Sequence, residues 1–159
     1  FLLMMLNNVF AQECKYEKNE IDERTLLSVK RTVEKELCQV NRYPFTVKAQ
    51  AINDRKYLKA RYYRYNDFYI PTDQALIFVF DDHSLLSLTP LQPKSEKKTS
   101  DGFTKVSSLL VFPLNEKNFN ILLEKPVIQV KYFHNNTYII EDIKKRDQTI
   151  VSDLLKCIQ

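Results

Sequence analysis

The strongest constraint on the fold is a two-residue alternation of apolar and polar side chains in FTVKAQAI (45–52) and in KYLKARYYRY (56–65). Successive side chains of a β-strand point to opposite faces, so this period indicates two half-buried strands. One face of the pair is apolar, with Phe45, Val47, Ala49, Ala51, Leu58, Ala60 and Tyr62. Asn53-Asp54 lies between the runs and supplies a turn, so the sequence predicts an antiparallel hairpin.

The chain contains a single glycine among its 159 residues. Gly-rich phosphate loops, the Rossmann fingerprint and the nucleophile elbow all need glycine at fixed offsets, so the composition excludes these sites. Hairpin turns must then be made by Asn and Asp, which tolerate left-handed backbone better than most residues.

Further strands are predicted where apolar runs are bounded by turn residues. ALIFVF (75–80) is apolar at every position, as in a central strand covered on both faces. LQPKSEKKTSDG (91–102) is polar and bracketed by proline and glycine, which predicts an exposed loop. The remaining predicted strands span residues 25–35, 84–89, 105–112, 127–133 and 137–143.

Two segments have a helical period. Asn115 is a good N-cap, Glu116 suits the first turn, and Pro126 marks the end of a short helix. The tail DIKKRDQTIVSDLLKCIQ is predicted to end the chain as an amphipathic helix. The order predicts one α+β domain over residues 12–159. Its sheet is mostly antiparallel, a meander plus a hairpin, with both helices packed on one side.

The first eleven residues, FLLMMLNNVFA, are interpreted as the remnant of a signal peptide. Val9 and Ala11 fit the small-residue pocket of a signal peptidase, which places the cut before Gln12. The apolar run is far shorter than a bilayer-spanning helix, so no transmembrane segment is expected in the mature chain. The sequence therefore predicts an exported protein, periplasmic or secreted. The alternative is a buried N-terminal strand or helix.

Three cysteines, Cys14, Cys38 and Cys157, would meet an oxidising compartment in an exported chain. One disulfide with one thiol left over is then expected. Cys14 and Cys157 stand at the two ends of the proposed domain, and domain termini often lie close together. The alternative is three separate buried thiols.

CKYEKNEIDE after an export signal, together with LLKCI at the far end, resembles a group of small uncharacterised exported bacterial proteins. The block NEKNFNILLEKPVIQVKYF is similar as well. That group has no established activity, so the resemblance implies no catalytic residues. It does imply pairing of Cys14 with Cys157, because both cysteines stand in its terminal motifs.

The segment RKYLKARYYRYNDFY (55–69) is the most unusual surface feature of the sequence. One face of its strand carries a row of tyrosines and cations: Tyr57, Lys59, Arg61, Tyr63 and Tyr65. Tyrosine and arginine are enriched at interfaces, which makes this row the candidate ligand or partner surface. The competing interpretation is that tyrosines favour strands and cover a sheet face by themselves.

No residue pattern indicates a catalytic or metal site, and no cofactor is expected. His83 and His134 fall in predicted turns without ligand-spaced neighbours, and Asp81-Asp82 is a common turn former. A net charge of +4 is modest, and export argues against nucleic acid as a partner. The sequence predicts a non-enzymatic binding or envelope-associated module, facing an unknown protein or an anionic glycan of the envelope. The alternative is a secreted hydrolase whose site is assembled by the fold.

Overall fold

In the computed structural model, the described residues are 13–40, 42–65, 76–91, 94–100, 103–134 and 137–159. The predicted signal-peptide remnant lies outside this part of the chain. The α+β class is confirmed, because the described strands pair antiparallel and are accompanied by two short helices. Among these residues, no helix combines the length and apolar character needed to span a bilayer.

Eleven strands and two α-helices follow one another along the described chain. They are β1 (Tyr16–Ile21), β2 (Ser28–Thr32), β3 (Lys35–Val40), β4 (Tyr43–Ile52), β5 (Arg55–Tyr65), β6 (Leu76–Phe80), β7 (Leu85–Leu88), β8 (Lys94–Ser100), β9 (Phe103–Leu114), α1 (Glu116–Glu124), β10 (Val127–His134), β11 (Thr137–Asp142) and α2 (Ile150–Lys156). A single 3₁₀ turn, Lys145–Asp147, precedes α2.

The strands divide between a large and a small sheet. The large sheet has the order β1-β2-β4-β5-β9-β8, and β3 pairs with the same edge of β4 that β2 uses further along. The small sheet has the order β11-β10-β6-β7. The predicted hairpin is formed by β4 and β5, with Phe45 opposite Tyr62 and Ala51 opposite Lys56.

One hydrophobic core joins the two sheets. Phe45 of β4 lies 4.7 Å from Tyr62 of β5 and 5.8 Å from Tyr132 of β10, measured between ring centroids. Because Tyr132 belongs to the small sheet, this aromatic cluster connects the inner faces of both sheets. The helices complete the same core with Phe119 and Leu122 of α1 and with Val151, Leu154 and Leu155 of α2.

The prediction of an exposed loop at 91–102 is wrong, because β8 (Lys94–Ser100) pairs with β9 over seven register positions, Lys94↔Leu109 to Ser100↔Phe103. Its sequence KSEKKTS lacks an apolar face, so propensity and period miss it. The strand forms because its long neighbour β9 offers a row of backbone hydrogen-bond partners. Its lysines are typical of an edge strand, where charge discourages pairing with the edge strand of another molecule.

The N-terminal strands also differ from the sequence-based expectation. The predicted strand at 25–35 is split in two, since β2 ends at Thr32 and β3 begins at Lys35. The charged stretch before it forms β1, which pairs with β2 and carries no apolar face. The terminal helix is shorter than the tail predicted, because only Ile150–Lys156 is α-helical.

The N-cap of α1 is confirmed, since the Asn115 side chain accepts a hydrogen bond from the backbone N–H of Asn118 at 2.8 Å. The turns only partly follow the expectation that Asn and Asp replace glycine. Asn53 does take a positive φ of 49° between β4 and β5. Among the described residues, Leu26, Arg42 and His83 also take left-handed positions, with φ of 56°, 69° and 62°. Bulky side chains therefore occupy turn positions that favour glycine.

A disulfide joins Cys14 to Cys157, with the Cα atoms 5.6 Å apart. This confirms the predicted pair and rules out three separate thiols. The Tyr16 hydroxyl donates a hydrogen bond of 2.8 Å to the backbone carbonyl of Cys157. The start of β1 and the end of α2 are therefore connected twice, once covalently and once by this bond.

Candidate binding surface

The predicted row of tyrosines and cations lies on the outer face of the large sheet. We name Tyr57, Lys59, Arg61 and Tyr63 of β5 the tyrosine face. All four are half-buried, whereas the alternate residues Leu58, Ala60 and Tyr62 are buried in the core, with exposures of 0%, 0% and 3%. The fifth predicted residue, Tyr65, ends β5, but its side chain lies outside the part of the chain that the structure describes.

The tyrosine face is bordered on one side by an apolar row from β9. Pro113, Val111 and Leu109 lie directly opposite Tyr57, Lys59 and Arg61 in the antiparallel register. Val111 and Leu109 are half-buried and Pro113 is exposed. Opposed residues on adjacent strands share a face of the sheet, so the two rows form one aromatic, cationic and aliphatic surface. Tyr57 and Tyr63 are about 20 Å apart along the strand.

On the other side, β4 and its neighbours carry a network of ion pairs. Lys48 of β4 is only 8% exposed, and its ammonium lies 3.0 Å from Glu17 and 3.3 Å from Glu34. Arg61 also contacts Glu34 at 3.3 Å. The Thr46 hydroxyl donates a hydrogen bond of 3.2 Å to the same Glu34 carboxylate. Lys48 and Lys59 lie directly opposite each other, an unfavourable pairing that the two glutamates offset.

Glu34 is the centre of this network, and its pKa is lower than the ordinary value for glutamate. Burial alone would raise the pKa of the carboxyl, but the positive charges of Lys48 and Arg61 outweigh burial and favour the ionised form. The network therefore fixes Arg61 within the tyrosine face and neutralises part of its charge.

Replacing Glu34 by glutamine is expected to change the pH dependence of stability. A carboxyl with a lowered folded-state pKa stabilises the protein above its unfolded pKa, and this contribution is lost as pH falls through the folded value. Glu34→Gln should thus lose about 1 kcal/mol of unfolding free energy at neutral pH, and its stability should fall less than that of the wild type as pH drops from about 5 to 3. Urea unfolding from neutral pH to about pH 3 measures the free energy of unfolding and its change with pH. Glu124→Gln on α1 is the control. Equal pH slopes for wild type and Glu34→Gln would contradict this assignment.

The predicted histidine and aspartate positions do not form a site. His83 is exposed in the turn between β6 and β7, and no metal-binding group of three His, Cys, Asp or Glu side chains occurs among the described residues. Asp82 instead accepts hydrogen bonds from Ser84 and from the ammonium of Lys125 at the end of α1. The side chain of His134 lies outside the described part.

The remaining thiol, Cys38, lies in β3 beside a depression of about 200 Å³ that Glu36, Asp142 and Asp147 also line. Burial, together with the negative charges of Glu141 and Glu36, raises the pKa of the Cys38 thiol to about 12. A thiolate is the nucleophilic form of cysteine, so this environment suppresses the reactivity of Cys38.

Native Cys38 is therefore expected to resist alkylation. A rise of the thiol pKa from its ordinary value of 9.0 to about 12 lowers the thiolate fraction at neutral pH by about three orders of magnitude. Iodoacetamide at pH 8 should leave the folded protein unmodified, and the same reagent in guanidinium without reductant should add one group. Intact mass spectrometry separates the two states. Rapid labelling of the folded chain at Cys38 would contradict the assignment.

The alternation in β5 predicts that the side chains of the tyrosine face form one row, but it does not reveal the residues that contact the row. Glu17 and Glu34 stand 31 and 27 residues from Lys48 and Arg61, their respective partners. Glu34 lies between β2 and β3, where no period can be read. One signal was available in the sequence, Lys48 itself, a lysine at the centre of the β4 run between Val47 and Ala49.

Comparisons with protein-family models, with curated proteins and with solved structures find no match to this chain. The resemblance to small exported bacterial proteins therefore stays a prediction that rests on the motifs quoted above.

Proposed function

We propose that the chain is a non-enzymatic binding module whose outer sheet surface, the tyrosine face with the apolar row of β9, contacts a partner protein. The observation that carries this proposal is the row itself: Tyr57, Lys59, Arg61 and Tyr63 stand half-buried on one face of the sheet beside Leu109 and Val111. Tyrosine and arginine supply large amphipathic contacts of the kind enriched at interfaces.

Two features favour a protein over an anionic glycan of the envelope. Glu34 lies against both Arg61 and Lys48, and Glu17 lies against Lys48, so carboxylates offset the positive charge that an anionic chain would need. The neighbouring β9 row is aliphatic, so it offers neither a positive charge nor a side-chain hydrogen-bond donor to the anionic groups of such a glycan. Mixed aromatic and aliphatic contacts surrounded by charge are typical of protein partners.

Action outside the cytosol is part of the same proposal. A disulfide between Cys14 and Cys157 is supporting evidence, because such bonds persist in oxidising compartments and are rare in the cytosol. The intact mass of protein purified from its own host checks this point, since export predicts a chain that begins at Gln12 and carries one disulfide. A chain that retains residues 1–11 and three thiols would contradict it.

The partner surface is tested by affinity capture with matched variants. Immobilised wild-type protein, Tyr57→Ala/Tyr63→Ala and the control Tyr138→Ala are exposed to the extracytoplasmic fraction of the host, and retained proteins are quantified by mass spectrometry. Tyr138 is 43% exposed on the small sheet, so it is a surface tyrosine outside the tyrosine face. We expect a specific protein to be retained by wild type and by Tyr138→Ala and lost at least tenfold with the double variant, as for two interface anchors.

Two outcomes would overturn this assignment. Equal retention by the wild type and the double variant would show that the tyrosine face is not the interface. Retention of polysaccharide rather than protein, abolished by the double variant and by high salt, would replace the protein partner with an anionic glycan. Circular dichroism of each variant confirms that the fold is retained.

A further inference from the structure

Two lysines take core-facing positions at one end of the large sheet. Lys30 of β2 and Lys56 of β5 both lie directly opposite Ala51 of β4. Further along the same face of β4, Ala49 and Val47 are fully buried. Side-chain alternation therefore directs both lysines toward the inner face, where apolar residues are the rule. At this end of the sheet, two cations therefore take positions where apolar side chains are usual.

A depression of about 500 Å³ opens above Ala51, and both Lys30 and Lys56 line it. The small alanine side chain leaves this volume between the two longer ones. Neighbouring strands are about 4.8 Å apart, so the Cα atoms of the lysines are about 10 Å apart across β4. Their side chains can therefore close on one group seated on Ala51. The volume falls in the range of small-molecule sites.

The two ammonium groups have no carboxylate partner within the described chain. Every ion pair there involves other cations, namely Lys18, Lys48, Arg61, Lys125, Arg146 and Lys156. Lys56 is held over the ring of Phe119, with its ammonium 4.0 Å from the ring centroid. Asp54 lines the depression as well, but it is exposed on the turn between β4 and β5. Among the side chains that line the depression, two cations stand against one carboxylate.

The rest of the lining is polar and small. Ser28, Asn53 and Gln159 contribute hydroxyl and amide groups, while Ile158 adds a narrow apolar floor and is itself only 2% exposed. The Asn53 carbonyl oxygen already accepts a hydrogen bond from the backbone N–H of Ser28, which leaves the amide N–H₂ as a donor. Amides and hydroxyls match a ligand that carries hydroxyl groups beside its charge.

We propose that the depression over Ala51 binds a small hydroxylated organic anion, with its charged group between Lys30 and Lys56 and its hydroxyls against Ser28, Asn53 and Gln159. A sugar acid and a sugar phosphate share this chemistry. The site lies on the inner face of the sheet, whereas the tyrosine face lies on the outer face. It is therefore independent of the proposed partner surface.

The test is a titration followed by amide chemical shifts in ¹H–¹⁵N spectra of the full chain with its disulfide intact. The probes are D-glucuronate, glucose 6-phosphate, uncharged glucose and inorganic phosphate, all at constant ionic strength. We expect one of the two sugar anions to bind at millimolar concentration or tighter. Shifts should be confined to residues 28–30, 51–56 and 158–159, with no response to glucose. Whichever of the two sugar anions binds with the higher affinity shows whether the site prefers a carboxylate or a phosphate.

Three variants make the result specific. Lys30→Gln and Lys56→Gln should each weaken binding about tenfold, the effect of one charge-assisted hydrogen bond. Ala51→Leu keeps both lysines but fills the depression, so it should abolish binding. The control is Lys35→Gln, because Lys35 is an exposed lysine of β3 away from the depression. It should bind like the wild type.

The proposal is overturned if neither sugar anion shifts these residues, or if both lysine variants bind as tightly as the wild type. If inorganic phosphate bound with the same affinity as glucose 6-phosphate, the hydroxyl groups would contribute nothing to binding. The depression would then be a site for simple ions, which contradicts the proposal. Because Lys30 and Lys56 are half-buried whereas Ala51 is buried, the lysine variants remain informative even if Ala51→Leu fails to fold.

Discussion

Removing the disulfide by a Cys14→Ala/Cys157→Ala double substitution is expected to lower the free energy of unfolding by about 5 kcal/mol. The bond spans 143 residues, almost the whole described chain, so it restricts the unfolded ensemble strongly. Small domains have a total stability of about 5–15 kcal/mol, so this loss would leave the protein marginal or unfolded at 25 °C. The native structure around the bond should change little, since Tyr16 still contacts the Cys157 carbonyl.

Urea unfolding of the wild type and the double variant measures this effect. A more expanded unfolded state exposes more surface, so the m-value of the variant should rise while its midpoint falls. Cys38→Ala is the matched control, because it removes a sulfur without opening a loop. A loss no larger for the double variant than for Cys38→Ala would show that the bond does not restrain the unfolded chain.

Phe45→Ala is expected to cost about 3–5 kcal/mol, the usual range for a large aromatic side chain removed from a core. Phe45 is 1% exposed and lies in contact with Tyr62 of the same sheet and Tyr132 of the other. Its removal creates a cavity where the inner faces of both sheets meet. The rings of Tyr62 and Tyr132 are fixed on β5 and β10, so they cannot move far enough to fill it.

Chemical denaturation again provides the measurement. Phe45→Leu keeps most of the volume and should cost about 1.5 kcal/mol or less. Tyr138→Ala, on an exposed strand position, should cost less than about 0.5 kcal/mol. If Phe45→Ala were no more costly than Tyr138→Ala, the two sheets would not share a core at this cluster.

The parts of the fold that the sequence predicts are those in which one segment contains its own signal. The alternation in β4 and β5 depends on adjacent residues, and the helix α1 begins at an asparagine that caps it directly. The strand β8 has no such signal, since its pairing is supplied by β9 rather than by an apolar face of its own. The division into two sheets likewise depends on contacts such as Phe45 with Tyr132, which are distant in sequence.

The candidate surface was predictable only in the part that lies within one strand, because that strand contains its own alternation signal. A period of two places Tyr57, Lys59, Arg61 and Tyr63 in a row without knowledge of any other strand. Their surroundings were not predictable, because Glu34 reaches Arg61 from the irregular residues between β2 and β3. The lysines opposite Ala51 also need the register of three strands before their common position emerges.

The central claim, a partner protein on the tyrosine face, is tested most directly by photo-crosslinking in the cells that produce the protein. A photoreactive phenylalanine analogue replaces Tyr63 in one strain, and in two control strains it replaces Tyr138 of the small sheet or Lys117 of α1. We predict a discrete adduct with one protein at position 63 and none at 138 or 117. No adduct at 63, or the same adducts at all three positions, would contradict the claim.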